Sequence, residues 1–355
     1  MFARNRSRKI LIVLGALMAM PLGACSTIGY YGHLAHGEFA MLAARKPIAR
    51  VIADPAADVQ LKARLQLAVQ ARAFASDQLQ LPRNASYTKY ADLRRPYAMW
   101  NVFAAPEFSL QPAQQCFPIA GCVAYRGYYD RNRAVAEAAR LHSRGLETWI
   151  GGVPAYSTLG WFADPILNTM LRWSDDDLAA TIFHELAHQR LYLKGDTEFN
   201  ESFATFVQRE GLRQWRAASG LPPADDADQQ RSDQFDQLVL GTRARLQQLY
   251  ASGLPPDAMR LRKHEEIQRL RTEYFQWRDT QWHGDGAYDG WINADINNAA
   301  LLPFGLYHRW VAAFAALYTT QGGNWTAFYD AVAKMAQMKA DVRLKALLAL
   351  DETAK

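Results

Sequence analysis

Cysteine is scarce: the 355 residues contain 3, at positions 25, 116 and 122. No histidine stands near Cys116 or Cys122, so they make a poor thiolate metal centre. Long hydrophobic runs are missing as well. The unbroken apolar stretch from Ile10 to Met20 is too short for an ordinary membrane span. No stripe of Lys and Arg interleaved with aromatics appears, which removes the usual footprint of a nucleic-acid binder. Internal repeats and low-complexity linkers are also absent. A chain that is 50% hydrophobic and well supplied with Trp, Tyr and Phe then has the means to bury one large domain or two interlocked lobes.

What is present begins with an export signal. Arg4, Arg6, Arg8 and Lys9 precede the apolar run and small residues follow it. Leu22-Gly-Ala-Cys25 looks like a lipoprotein cleavage box, so residues 1–24 are expected to be removed and Cys25 to become the lipidated first residue of a single domain, 25–355. A plain signal peptide or an uncleaved anchor is the alternative. Ser26 after the cysteine points by analogy to the outer membrane of a bacterial envelope, with the domain facing the periplasm. Losing four basic residues lowers the formal net charge from +5 to +1, so the basic pI says little about partners. In an oxidising compartment the remaining pair, Cys116 and Cys122, is most simply a disulfide around Phe117-Pro118.

The densest chemistry lies at Thr181-Ile-Phe-His184-Glu185-Leu-Ala-His188-Gln189. Histidines at i and i+4 share one helix face, where their imidazoles can converge on one Zn²⁺, and the carboxylate between them can reach a water at the metal. Ser174-Asp-Asp-Asp177 forms a capping box, and Leu178, Ile182, Phe183, Leu186 and Ala187 keep helical spacing. A catalytic zinc needs a third protein ligand and an open position. Thr197 can cap a second helix that carries Glu201, after a turn at Lys194-Gly195-Asp196. Glu198, in the first turn of that helix, competes with it. Lys194 occupies the place of the third histidine of a metzincin, and Leu191 that of its glycine.

The remaining pattern gives a coarse order. Residues 28–46 and 57–78 read as a helical hairpin; Met99–Phe103, Val123–Tyr129 and Thr148–Val153 as strands, with a helix at 131–143 ended by Gly145; and Ala155–Trp161 as a further extended piece. After Glu201 the chain turns helical, broken near 220–228 and 252–257. Phe235, Leu238, Val239, Leu246 and Leu249 form one apolar stripe, and Ile267, Leu270, Tyr274 and Trp277 another. Arg260, Arg262, Lys263, Glu265 and Glu266 read as a solvated face.

Tyr97-Ala-Met-Trp-Asn-Val-Phe-Ala-Ala-Pro-Glu107, Cys116-Phe-Pro-Ile-Ala-Gly-Cys122, Tyr125-Arg-Gly-Tyr128, Ala155-Tyr-Ser-Thr-Leu-Gly-Trp161, the His184 motif and Asn200-Glu201 together resemble a family of bacterial predicted aminopeptidases, a gluzincin-like group. The resemblance implies an α+β, zincin-like metallopeptidase fold, with a small twisted sheet before the metal helix and a mainly helical C-terminal part. It implies one Zn²⁺ per chain on His184, His188 and Glu201, with Glu185 as general base, which the spacing gives independently. Aminopeptidase activity is implied by the family name alone, and the Gly-x-Met-Glu-Asn signature of well-known gluzincin aminopeptidases is absent.

Metal binding alone does not hydrolyse an amide: zinc supplies part of the oxyanion stabilisation, and a second donor is expected. Tyr307 leads the candidates, followed by His308 and Tyr156. Asn200 is a candidate to orient the ligands, or else to satisfy backbone at the start of its helix. Glu107 is a candidate for binding a free α-amino group. Arg126 and Asp130 read as a substrate-terminus site or, more simply, as a structural ion pair. His33, His36, His142, His264 and His283 lack ligand spacing. Gly151-Gly-Val-Pro-Ala-Tyr-Ser-Thr158 stands where an edge strand could hold an extended peptide. The expected partners are a peptide substrate and, through the lipid anchor, a membrane; no protein partner is inferable. A zinc endopeptidase and a non-catalytic, zinc-stabilised envelope scaffold or chaperone are the rival functions.

Overall fold

The computed structural model describes residues 21–117, 121–155, 157–158, 160, 162–224, 226–304 and 309–353. Helix α1 (Pro21–Ala43), strand β1 (Lys46–Pro47), the short α2 (Ile48–Ala53) and α3 (Val59–Asp77) come first. Strands β2 (Lys89–Ala91), β3 (Met99–Pro106), β4 (Gln115–Phe117), β5 (Gly121–Val123) and β6 (Tyr125–Tyr128) follow, then α4 (Arg131–His142), β7 (Leu146–Val153) and β8 (Ile166–Leu167). Beyond them the described chain is helical: α5 (Asp175–Arg190), α6 (Thr197–Ala218), α7 (Asp226–Tyr250), α8 (Pro256–Thr280), α9 (Asp289–Ile292), α10 (Asn298–Leu301), α11 (Val311–Thr320), α12 (Trp325–Ala336) and α13 (Ala340–Thr353). The architecture is mixed α+β, its strands confined to the part before α5.

Strand β3 is the middle of a sheet ordered β6-β3-β7, antiparallel on both sides. Its side chains alternate as a pleated strand demands. Trp100, Val102 and Ala104 meet Ala134, Ala138 and Leu141 of α4, while Phe103 and Ala105 meet Ala299 and Leu302 on the opposite face. The Asp130 carboxylate caps α4 by accepting from Arg133 N at 2.9 Å, and Gly145, at φ +80°, allows the chain to leave it.

Several expectations change here. The strand expected over Val123–Tyr129 breaks at Ala124, because Val123 turns back to pair with Gln115 while Tyr125–Tyr128 pair with β3. Ala155–Trp161 forms no strand in its described residues. Ser157 and Thr158 instead fold around the Asp164 carboxylate, a side-chain alternative to ladder bonding. A third sheet, β1-β2-β8, went unread because its strands are two or three residues long.

The first two long helices do not lie side by side as a hairpin. Helix α1 runs along the β6 end of the sheet, where Tyr30 Oη donates to Gly127 O at 3.0 Å, Tyr129 N donates to His33 Nε2 at 3.1 Å, and Tyr129 Oη donates to Glu38 at 2.6 Å. Met41 joins the core that α3 helps to build. Helix α3 packs on α5, and α5 on α6.

That core is the largest among the described residues and surrounds the His184 motif. Leu65, Ala68 and Ala75 meet Ile182, Phe183 and Leu186, and Phe199, Phe203, Phe314 and Phe328 close it from the other side. Leu178, Ile182, Phe183, Leu186 and Ala187 are all buried, as their spacing predicts. Gly211 lets α6 approach closely: a Cβ there would lie 2.7 Å from Leu79 Cδ1 and 3.0 Å from Phe183 Cδ2.

The stripes of α7 and α8 face each other in a separate core. Lys263 departs from the expected solvated face. It is 9% exposed, and its ammonium donates to Glu107 O at 2.9 Å and pairs with Glu147, tying α8 to the sheet. Among the described residues no helix is long and apolar enough to cross a membrane.

Candidate metal centre

Helix α5 begins where the sequence places it. Ser174 Oγ accepts from Asp177 N at 3.1 Å and donates to the Asp177 carboxylate at 2.7 Å. The next helix begins one residue earlier than expected: Asp196, not Thr197, is the cap, accepting from Phe199 N at 3.1 Å. Gly195, at φ +85°, makes the turn before it. The two helices pack together with their ligand-bearing faces opposed.

Across that contact three donor atoms converge. His184 Nε2 and His188 Nε2 are 3.1 Å apart, and Glu201 Oε2 lies 3.4 Å from the first and 3.5 Å from the second. Ligands held about 2.0–2.1 Å from a tetrahedral zinc are separated by about 3.3 Å along each edge. The observed triangle therefore has the size of one face of that tetrahedron. The imidazole planes meet at 86°.

The chemistry of the donors agrees with their spacing. His184 Nδ1–H donates to Gln208 Oε1 at 3.0 Å, which leaves Nε2 as a bare acceptor aimed at the centre. His188 is 7% exposed, and its Nδ1 has no hydrogen-bond partner among the described residues. Two imidazoles and a carboxylate aimed at one point repel unless a proton or a cation lies between them. Burial opposes ionisation of Glu201, yet the two imidazoles facing it outweigh burial and hold the carboxyl down at about 2. This is the one cluster of three or more candidate ligands among the described residues.

Glu185 is set differently. Burial pushes its carboxyl up to about 7, with the charges of Glu201 and Asp164 in the same direction and His184 opposing. A carboxylate poised there suits a general base near neutral pH. Tyr192 sets its ring against His188, with centroids 6.3 Å apart. Tyr125, at the start of β6, faces Glu201 and Tyr192, and burial and the Glu201 charge raise its phenol.

The other candidates fall elsewhere. Glu198 pairs with Arg309 at 2.9 Å and stays out of the cluster. Asn200, 1% exposed, accepts from Leu193 N and donates to Leu193 O, both at 2.7 Å, so it braces the turn between the helices and not the imidazoles. Glu107 is gripped by Arg260 through bonds of 2.6 and 3.0 Å. Arg126 pairs with Glu137 at 3.2 Å, while Asp130 serves as a helix cap. Tyr156, Tyr307 and His308 lie outside the described residues, as do positions 1–20, most of the expected export signal.

Gln208, Tyr125 and Tyr192 escaped the sequence reading. Gln208 alone carried a signal, standing seven residues after Glu201 and so on the same helix face. A cavity of about 1190 Å³ between α6, α7 and α11 is lined by Glu198, Arg209, Asp233 and Arg309 without the imidazoles, and those four charges are already paired.

The sequence model of a family described as "Putative aminopeptidase" matches residues 29–347, most of the chain. Searches of curated proteins and of solved structures each returned no match.

Proposed function

The chain belongs to that aminopeptidase family, and on this premise we propose that it is a zinc-dependent peptide hydrolase with a zincin-like fold, lipid-anchored at the bacterial cell envelope. The observation that carries the proposal is the triangle of His184 Nε2, His188 Nε2 and Glu201 Oε2, with sides of 3.1, 3.4 and 3.5 Å.

These three residues would hold one Zn²⁺. Zinc bound there would supply Lewis-acid polarisation of water and of the scissile carbonyl. Gln208 keeps His184 in the tautomer that ligation requires. Glu185 takes the proton of the attacking water and delivers it to the leaving amine, so the bond to nitrogen breaks with a neutral leaving group. Its raised proton affinity favours both halves of that transfer near pH 7.

The oxyanion requires a further donor. Tyr307 is our first candidate, and Tyr125 and Tyr192 are tyrosines beside Glu201 and His188. Strand β7, with β3 on one side, would offer its other side to an extended peptide.

The engagement of Glu107 by Arg260 favours a second reading. With that carboxylate occupied, the candidate anchor for a free α-amino group is gone, and internal cleavage becomes the rival to aminopeptidase action. Amino-acid anilides and internally quenched peptides, assayed with the purified chain, separate the two. Activity should vanish with chelator, return with zinc, and be lost in Glu185→Gln while that variant still binds one zinc per chain. Chelator-insensitive turnover, or full turnover by the Gln variant, removes the zinc mechanism.

A further inference from the structure

Three side chains that this mechanism does not use gather around Glu185. Tyr87 is 1% exposed and sits at φ +62°, a left-handed conformation uncommon for so large a residue. Its buried hydroxyl stands beside the Ser157 side chain, its hydrogen-bonding neighbour, and near the Glu185 carboxylate. A buried hydroxyl is costly to place, so pure packing would be better served by phenylalanine, and the tyrosine here implies a use for that bond.

The surroundings hold Tyr87 in this strained position from several directions. Arg72, 8% exposed, donates from Nε to Ser86 O and from Nη2 to Pro82 O and Asn84 O, each at 3.0 Å. Tyr87 N donates to Asp164 O at 2.6 Å. Asn84 Nδ2 donates to Gln189 Oε1 at 2.7 Å, docking the loop beside the second histidine of the motif.

Asp164, 1% exposed, is already supplied with donors. Its oxygens accept from Thr158 Oγ1 at 2.7 Å, Thr158 N at 3.0 Å and Ser157 Oγ at 3.2 Å, with Gln189 Nε2 at 3.4 Å. Ser157 has one hydroxyl proton and two carboxylates in reach, those of Asp164 and Glu185.

Building on the hydrolase reading, we propose that Tyr87 is a positioning residue. It donates to Ser157 Oγ, which turns the Ser157 proton toward Glu185 and fixes that carboxylate on the attacking water. Asp164 is then served by Thr158 and Gln189.

The test uses the zinc-loaded chain and a cleaved peptide. Tyr87→Phe should lower kcat by about ten- to a hundredfold, as loss of an orienting partner does, with KM, zinc stoichiometry and Tm preserved or Tm raised. Ser157→Ala should show the same drop, and the double variant no further one, because the two act in series. Wild-type kcat in Tyr87→Phe, or a fall in Tm that tracks the fall in kcat, overturns the role. If wild type hydrolyses and Glu185→Gln silences it while Tyr87→Phe changes nothing, this inference alone falls. A wild-type chain without chelator-sensitive hydrolysis removes the function and this role together.

Discussion

Glu185 and Glu201 belong to the same site and titrate in opposite directions. For Glu185 the folded value is about 7 against an ordinary 4.5. Between those values the folded metal-free chain keeps a proton that the unfolded chain has lost, so stability falls as pH rises through this window. For Glu201 the folded value is about 2, so its contribution is present above pH 4.5 and is lost as pH falls toward 2. In chelator, Glu185→Gln should therefore remove the decline above pH 5 and leave the variant more stable than wild type at pH 8, by at most on the order of 3 kcal/mol. Denaturant midpoints across pH check this. For the oxyanion, Tyr307→Phe should lower kcat by about a hundredfold with KM little changed. If Tyr125→Phe does so instead, the donor is at the start of β6. At this scale the sequence was readable where chemistry is local. His184, Glu185 and His188 lie on one turn and Glu201 on the next helix, whereas Tyr87 and Tyr125 reach the site only through folding and carry no spacing that marks them.

The turn between α5 and α6 sets the distance between the histidines and Glu201. Asn200 closes it with two bonds to Leu193, and Arg343 fastens the cap Asp196 at 2.8 Å. Asn200→Ala leaves Leu193 N without its acceptor while Leu193 O keeps Asp196 N, at a cost of about 1–3 kcal/mol, and zinc affinity should fall about tenfold or more. Calorimetric zinc titration together with thermal unfolding reads both. Unchanged affinity would show that α5 and α6 hold the triangle without this brace. Long helices were legible from apolar periodicity, as the buried stripes of α5, α7 and α8 show. Strands of two or three residues carry no period to read, and the cap of α6 was misplaced by one residue because Asp196 and Thr197 are both good caps.

Among the described residues the strands all precede α5 and the chain after it is helical, as the apolar periodicity of the sequence suggested. The packing of α1 on the sheet was not legible, because it depends on tyrosines and a histidine that look the same whichever surface they meet. Register puts Cys116 opposite Cys122 across β4 and β5, a Cα separation within the range of a disulfide. Non-reducing mass spectrometry should find that pair oxidised in exported protein, lighter by two hydrogens than the reduced form. Cys25→Ser, expressed in a Gram-negative host, should move the chain from the membrane fraction to the soluble periplasm. Recovery of that variant in membranes would remove the lipid anchor.

His184, His188 and Glu201 are contributed by adjacent helices within a short stretch of chain, but Tyr87 must arrive from far earlier in the sequence, before β2. Short-range contacts form early and long-range ones late. On dilution from denaturant, zinc capture should therefore run ahead of peptide cleavage, and a nascent chain would hold its ion for a time before it could cut anything, its own neighbours included.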